Sequence, residues 1–309
     1  MEKTIGVFGG TGLLGTALVN NENFKDCVFY LFVRSKSSVR KIPSLNKNLE
    51  IVEYDNDAEY VIKELNNCQV VINFAGASIA GKKWTKDYKQ IIYDSRINST
   101  RRIVNSIKLN DSKPELLINA SATGIYGSRQ NEELNENSEI GNDFLANLCT
   151  EWENEALKFT GVGNRVVLLR TGIVLSREGG ALQKFINPFK FFVGGHQGSG
   201  KQWISWIHIQ DFISIIYFVI TNNKIEDSLN CTSEFPVTNK DFANILGETL
   251  NRPSFFFVPE FILKIVLGEF SETILTGQRV IPEKLLANGF KFEYPDLKSA
   301  LDNLLAEIK

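Results

Sequence analysis

The chain has 309 residues, 43% of them hydrophobic and 23% charged, which is a globular composition with enough chain for one large or two modest domains. A formal net charge of -2 gives no global electrostatic case for nucleic acid or membrane binding. No apolar run is long enough to span a bilayer, no secretory leader is evident, and four scattered cysteines (Cys27, Cys68, Cys149, Cys231) with two histidines offer no metal-site spacing. The expectation is a cytoplasmic protein with buried free thiols and no bound metal.

In chain order, Thr4 to Gly15 reads T-I-G-V-F-G-G-T-G-L-L-G: a short strand, a glycine turn and the start of a helix. Gly9, Gly12 and Gly15 form a variant of the dinucleotide fingerprint. Glycines let backbone N–H groups approach an anion, and the helix N-terminus adds unpaired N–H groups. Gly9, Thr11, Gly12, Leu13, Leu14 and Gly15 are therefore expected to hold a pyrophosphate. Cys27 to Val33 is a continuous apolar run that suits a parallel strand buried on both faces. It leads into Arg34, Ser35 and Lys36, where an NAD-selective chain would place a carboxylate for the ribose 2′-hydroxyl. Basic residues there favour NADP(H).

Leu49 to Tyr54 predicts a third strand with Asp55 at its end, and Asp57 to Asn66 a helix. Val70 to Phe74 predicts a fourth strand, after which Phe74, Ala75 and Gly76 would let a cofactor lie against the backbone. Tyr88 to Ile107 carries apolar residues at helical spacing, with Ser95, Arg96, Asn98 and Thr100 among them. A guanidinium at Arg96 can bind the cofactor pyrophosphate or an anionic substrate; a surface ion pair is the plainer alternative.

Leu116 to Ala120 predicts a fifth strand, followed by the loop Ser121 to Gly127. A helix follows from Phe144 to Phe159, with Glu153 and Glu155 read as surface charges, and a sixth strand from Arg165 to Arg170. Arg170 is expected to pair with a buried carboxylate, and His208 to be a structural histidine. Beyond Gly179 the chain turns glycine-rich and aromatic, with a short strand at Leu229–Cys231 and helices from Thr238 to Leu250 and from Glu260 to about Leu267. Trp84, Trp203 and Trp206 can line a pocket or fill a core, and Lys82 and Lys83 can meet a phosphate or lie in a solvated loop.

The alternation predicts an α/β protein: a Rossmann-type doubly wound parallel sheet with a small C-terminal α/β substrate region. The expected division is a dinucleotide-binding domain over 1–230, with a substrate-region insertion near 176–205, and a substrate domain over 231–309.

Several strings carry a family resemblance: GGTGLLG, N-F-A-G, S-A-T-G-I-Y-G, L-L-R-T-G-I-V-L and W-I-H-I-Q-D. With these the chain resembles the extended short-chain dehydrogenases/reductases, the NAD(P)-dependent epimerase/dehydratase group. A-G-A-S-I-A-G-K-K-W-T, D-S-R-I-N-S-T, F-F-V-G-G-H-Q-G-S-G-K-Q and the tail G-Q-R-V-I-P-E-K-L-L-A-N-G-F-K-F are similar to its sugar-nucleotide epimerase subfamily with a C-terminal DUF1731 domain. The resemblance implies a Rossmann core, bound NADP(H) and a small-molecule substrate, polar or nucleotide-linked. The D-S-R-I-N-S-T match favours the cofactor as the ligand of Arg96.

The superfamily uses a Tyr-x-x-x-Lys pair for acid/base work. Here Phe144 stands about where that tyrosine falls, Leu148 or Cys149 where the lysine falls, and Ala122 at the usual hydroxyl position. Proton transfer then passes to Tyr126, Thr123, Ser121 or a bound water. The expected function is an NADP(H)-dependent oxidoreductase or epimerase. The rival is a non-catalytic NADP(H)-binding sensor or interaction protein. A homodimer is left open as its assembly.

Overall fold

The computed structural model of the chain describes residues 2–39, 48–54, 62–111, 114–160 and 164–306. Seven parallel strands form its central sheet: β1 (Thr4–Phe8), β2 (Val28–Val33), β3 (Leu49–Glu53), β4 (Val70–Asn73), β5 (Leu116–Ala122), β6 (Arg165–Thr171) and β7 (Asp227–Cys231). Their spatial order is β7-β6-β5-β4-β1-β2-β3. The chain runs outward from β1 to β3, then returns to lay β4 on the other side of β1. That reversal opens a crevice at the carboxyl ends of β1 and β4, the place where open α/β sheets bind ligands.

Alternation along each strand builds two core layers. Val7, Leu31, Ile72, Ile118 and Leu169 face one side and pack with Leu18 of α1 (Leu13–Val19) and with Phe212, Ile213 and Ile216 of α5 (Ile209–Thr221). Their neighbours Phe8, Phe32, Val71, Leu117 and Leu168 face the other side. There they meet Ile103, Val104 and Ile107 of α2 (Lys86–Leu109) and Ala156 of α3 (Phe144–Leu157). Burial on both faces is why these strands read as unbroken apolar runs. Asp143 caps α3 by accepting from the Ala146 amide at 2.9 Å, and Thr85 caps α2 by accepting from Tyr88 at 3.1 Å.

A further core joins α4 (Ala181–Lys190), α6 (Asn239–Leu250) and the terminal helix Leu297–Leu304 around Trp206 and Phe242. Between α6 and that helix lies α7 (Glu260–Leu267). Trp206 is thus a core residue. Asp55 and the first half of the expected helix after it lie outside the described residues. What is described there is a short 3-10 turn, Lys63–Asn67.

Candidate functional site

Each glycine of the first turn has its own physical reason. Gly9 adopts φ +74°, and a Cβ there would lie 2.8 Å from the Phe74 carbonyl carbon, so the ends of β1 and β4 touch through it. A Cβ on Gly15 would lie 2.4 Å from Gly10 Cα, so α1 sits directly on the turn. Gly12 differs. Its φ is -83°, and an added Cβ would meet only Gly9 O, at 3.3 Å. Its backbone is unstrained, and apart from that one tight contact with a backbone oxygen the space around the position is open. The Gly12 amide bonds to Gly9 O at 3.0 Å, while the amides of Leu13, Leu14 and Gly15 open the helix with no intrahelical acceptor and no acidic residue in its first turn. Thr11 is exposed beside them. This cradle fits a pyrophosphate.

Arg34, Ser35 and Lys36 follow β2 on the surface, and among the described residues no carboxylate pairs with Arg34 or Lys36. On the other side of β1, the Phe74 ring packs against Phe212, leaving its backbone with Ala75 and Gly76 to line the crevice. The buried Asn73 amide fixes that line: it donates to Thr100 Oγ1 at 2.9 Å and Asn119 Oδ1 at 2.7 Å, and accepts from the Ala75 amide at 3.0 Å.

Arg96 lies against Gly76, whose Cβ position is 3.1 Å from the guanidinium carbon. Its Nη1 donates to Ala77 O at 3.0 Å and Ile92 O at 3.1 Å, and the group stacks 5.1 Å from the Trp152 ring. Among the described residues it has no carboxylate partner, and its Nε and Nη2 make no hydrogen bond and are not sealed from solvent. Burial lowers its pKa from the ordinary arginine range, a direct consequence of holding a charge without a counter-ion. The plainer alternative for Arg96, a surface ion pair, is absent among the described residues. The guanidinium sits on the β4–β5 side of the crevice, between α2 and α3, across from the glycine turn.

The three candidate proton donors do not come together as a set. The Tyr126 side chain is fully buried; its phenol donates to Asn230 Oδ1 at 2.7 Å and accepts from Arg170 Nη1 at 3.1 Å. Burial raises its pKa, against the pull of Arg170. Ser121 is also buried and donates to Glu153 Oε1 at 2.6 Å. Thr123, which opens the 3-10 turn after β5, is the one whose hydroxyl makes no bond among the described residues.

Arg170 binds Glu153 through two parallel bonds of 3.0 and 2.9 Å, as its expected pairing requires. Glu153 and Glu155 are therefore not surface charges. Both are buried, and Glu155 pairs with Arg101 and Lys158 at 2.8 Å. The helix period explains the misreading: Glu153 lies four residues after Cys149 and three before Ala156, on the inward face. His208 is structural as expected: its Nδ1 accepts from the Gln210 amide at 3.1 Å, and the ring stacks 3.9 Å from Tyr294. Burial lowers its pKa to about 4.

Around Phe144, at the start of α3, lies an aromatic corner. The Phe144 ring meets Trp84 edge-on at 5.2 Å, and Trp84 meets Phe270 at 5.6 Å. Lys89 Nζ lies 4.7 Å from the Phe144 ring and forms an ion pair with Glu269. Leu148 is buried, and burial pushes the Cys149 thiol up to about 12, so neither handles protons at neutral pH. Lys89, Glu269, Phe270 and Trp152 were not singled out from the sequence. Lys89 is seven residues before Arg96, two turns along the same face of α2, which is a readable signal. Its contact with residues 180 positions away has none. Trp203 bonds instead to Asn131 at 3.0 Å, and Lys82 and Lys83 are exposed. Among the described residues no group of three potential ligands is placed to hold a metal.

Strand order, switch-point crevice and glycine cradle define a dinucleotide-binding Rossmann protein of the short-chain dehydrogenase/reductase type. The description "NAD dependent epimerase/dehydratase family" matches residues 5–231, and a domain of unknown function, DUF1731, matches residues 258–304. The chain belongs to the NAD-dependent epimerase/dehydratase family. It is 38% identical over 306 residues to the epimerase family protein YfhF of Bacillus subtilis, covering 99% of each chain. It is 38% identical over 300 residues to the epimerase family protein SH2119 of Staphylococcus haemolyticus, covering 97% of this chain and 98% of the relative. Among solved structures, human epimerase family protein SDR39U1, crystallised with NADPH, superposes with a TM-score of 0.88 at 29% identity, over 98% of this chain and 99% of the other. A nucleoside-diphosphate sugar epimerase from Corynebacterium glutamicum gives a TM-score of 0.74 at 27% identity, over 99% of this chain and 58% of its own.

Proposed function

We propose that the protein binds NADP(H) across the switch point and interconverts a carbonyl and an alcohol on a small polar or nucleotide-linked substrate. The observation that carries this reading is the turn at Gly12, which has open space beside it apart from Gly9 O and the start of α1 directly behind it. Arg34 and Lys36, without a carboxylate partner among the described residues and placed where a 2′-phosphate would lie, support NADP(H) over NAD(H). So does the likeness to a human protein crystallised with NADPH.

NADP(H) held by the glycine turn would supply or accept the hydride when bound. The chain's own part is electrostatic. Arg96 offers Nε and Nη2 to an oxygen that gains negative charge as hydride arrives, in a partly buried setting where fixed charge acts strongly. Thr123 passes a proton between that oxygen and water. Tyr126 and Ser121, bonded inward, hold the floor of the site through Asn230, Arg170 and Glu153. Trp84, Phe144 and Phe270 form an apolar wall beside it.

The second reading, an NADP(H)-binding sensor, is favoured by one observation: an apolar corner stands where the acid/base pair falls. Two measurements separate the readings. Fluorescence titration should give tighter binding of NADPH than of NADH; equal affinities would remove the NADP(H) assignment. NADPH oxidation is then followed across a panel of carbonyl compounds and sugar nucleotides. Turnover with any of them supports the enzyme, whereas tight NADPH binding with none supports the sensor.

A further inference from the structure

The C-terminal region exposes an apolar surface that the cofactor reading does not use. It starts at Phe191, 77% exposed, runs through the strand Phe256–Val258, and continues into α7. The pieces adjoin: the strand pairs in parallel with Gly195–Gln197, and the Phe255 and Phe256 rings lie 4.6 Å apart.

Two features mark this as an interface. On α7, Phe261, Ile262, Ile265 and Val266 are all exposed, and at 3.6 residues per turn they cover roughly 140° of one face. Leu263 alone of that helix is buried. An amphipathic helix normally turns its apolar face to the core; this one turns it outward. The strand is likewise exposed at every residue, and among the described residues its second edge pairs with no strand. An unguarded apolar edge is a template for pairing with another chain.

Area and charge select the occupant. Phe191, Phe255, Phe257 and Phe261 are each at least 60% exposed. With their neighbours they present on the order of 1,000 Å² of apolar surface, above the largest patch of a typical monomer and above the roughly 800 Å² per partner of a standard interface. A membrane-surface helix carries a lysine- and arginine-rich polar face. Here α7 has a single lysine, Lys264, already bonded to Glu260 at 2.6 Å.

We propose that this surface joins two copies of the chain in a twofold homodimer, with the strand Phe256–Val258 pairing antiparallel to its own copy about Phe257 and α7 packing beside it. A twofold contact is self-complementary, so one apolar patch serves both partners. The proposal gives the start of the DUF1731 segment an assembly role. It stands independently of the reaction.

The test uses the full chain and sedimentation velocity over a wide micromolar range, with and without NADPH. The expected result is a dimer. Ile265→Glu should raise its dissociation constant about thirtyfold or more, as loss of an interface hot spot does, and Phe257→Asp should act alike. NADPH binding and circular dichroism should stay those of the parent. Because all four native cysteines are buried, Phe257→Cys adds one accessible thiol, which should form an intermolecular disulfide on oxidation. A parent that is monomeric throughout the range overturns the proposal. So does a dimer that survives both substitutions, or a monomer that binds phosphatidylcholine–phosphatidylglycerol vesicles and loses them on Ile265→Glu.

Discussion

The two sides of the crevice solve different problems. On the β1 side, a turn of glycines and backbone amides faces the ligand, and almost no side chain is involved. On the β5 side, side chains fill the space: Phe144 and Trp84 at the corner, Arg96 on Trp152, and Tyr126 locked beneath. A backbone cradle recognises a charge and a shape, so it suits a cofactor shared by a whole fold class. A side-chain wall can be exchanged residue by residue, and here it is an apolar corner beside Arg96, which has no carboxylate partner among the described residues. Cofactor recognition and chemistry therefore separate, and substitutions on the two sides should fail in different ways.

The largest effect is expected at the cradle. Gly12→Val fills the open space over the turn and should abolish NADPH binding. The fold should survive with a small local shift, because the one close neighbour of an added Cβ is Gly9 O at 3.3 Å. Retained binding, measured by fluorescence titration, would make the turn merely structural. On the other side, Arg96→Gln should leave NADPH affinity within a few-fold of the parent and cut turnover about a hundredfold to a thousandfold, the usual loss on removing one oxyanion donor. If NADPH binding collapses instead, Arg96 belongs to the cofactor side and the division fails there.

His208, at the amino end of α5, ties the sheet to the C-terminal segment through Tyr294 and Asn303. Its folded pKa of about 4 lies below the ordinary 6.5, so the unfolded chain takes up the proton first as pH falls. Its contribution is complete above pH 6.5 and is lost toward pH 4, a swing of up to about 3 kcal/mol. Asp211 and Glu136, both raised by burial, act in the opposite sense. Urea denaturation should show His208→Gln losing less stability than the parent across that window; equal slopes would exclude His208 as the source. At the adenosine end, replacing both Arg34 and Lys36 by Ala should weaken NADPH about tenfold to a hundredfold and leave NADH unchanged, the worth of a charged hydrogen bond. Equal losses for both cofactors would show that the basic pair does not read the 2′-phosphate.

The β1 side was legible because backbone recognition leaves a mark in consecutive residues: a strand, four glycines, a helix. The sheet was legible for the same reason, since Cys27–Val33 and Val70–Phe74 are short unbroken apolar runs. The β5 side was legible only as a departure. Phe144, Leu148 and Cys149 say what is missing, but nothing local says that Glu269 reaches Lys89 or that Asn230 holds Tyr126. Those contacts join residues 180 and 104 positions apart, and they are set by packing of the C-terminal region on the sheet. Glu153 was misread for a milder reason: a charge on a helix was taken as solvated, although its spacing to Cys149 and Ala156 puts it inside.

Tyr126 gives the smallest expected effect and the sharpest contrast. From its position in the sequence alone it is the phenol best placed to act as an acid. Its side chain is sealed, and both bonds of its oxygen go to protein groups, Asn230 and Arg170. An acid must reach the substrate oxygen directly or through one water; this one reaches neither without breaking the network that includes the Arg170–Glu153 pair. Tyr126→Phe keeps the ring and its packing and removes only the hydroxyl. Asn230 Oδ1 then loses a donor and Arg170 an acceptor, which should cost about 1–3 kcal/mol of stability. Glu153 still holds the guanidinium by two bonds, so the fold should persist. NADPH affinity and turnover should stay near the parent's values at temperatures where the variant is folded. A variant as stable as the parent but about a hundredfold slower would return Tyr126 to the chemistry. A variant that is less stable and equally active would assign it to the floor of the site.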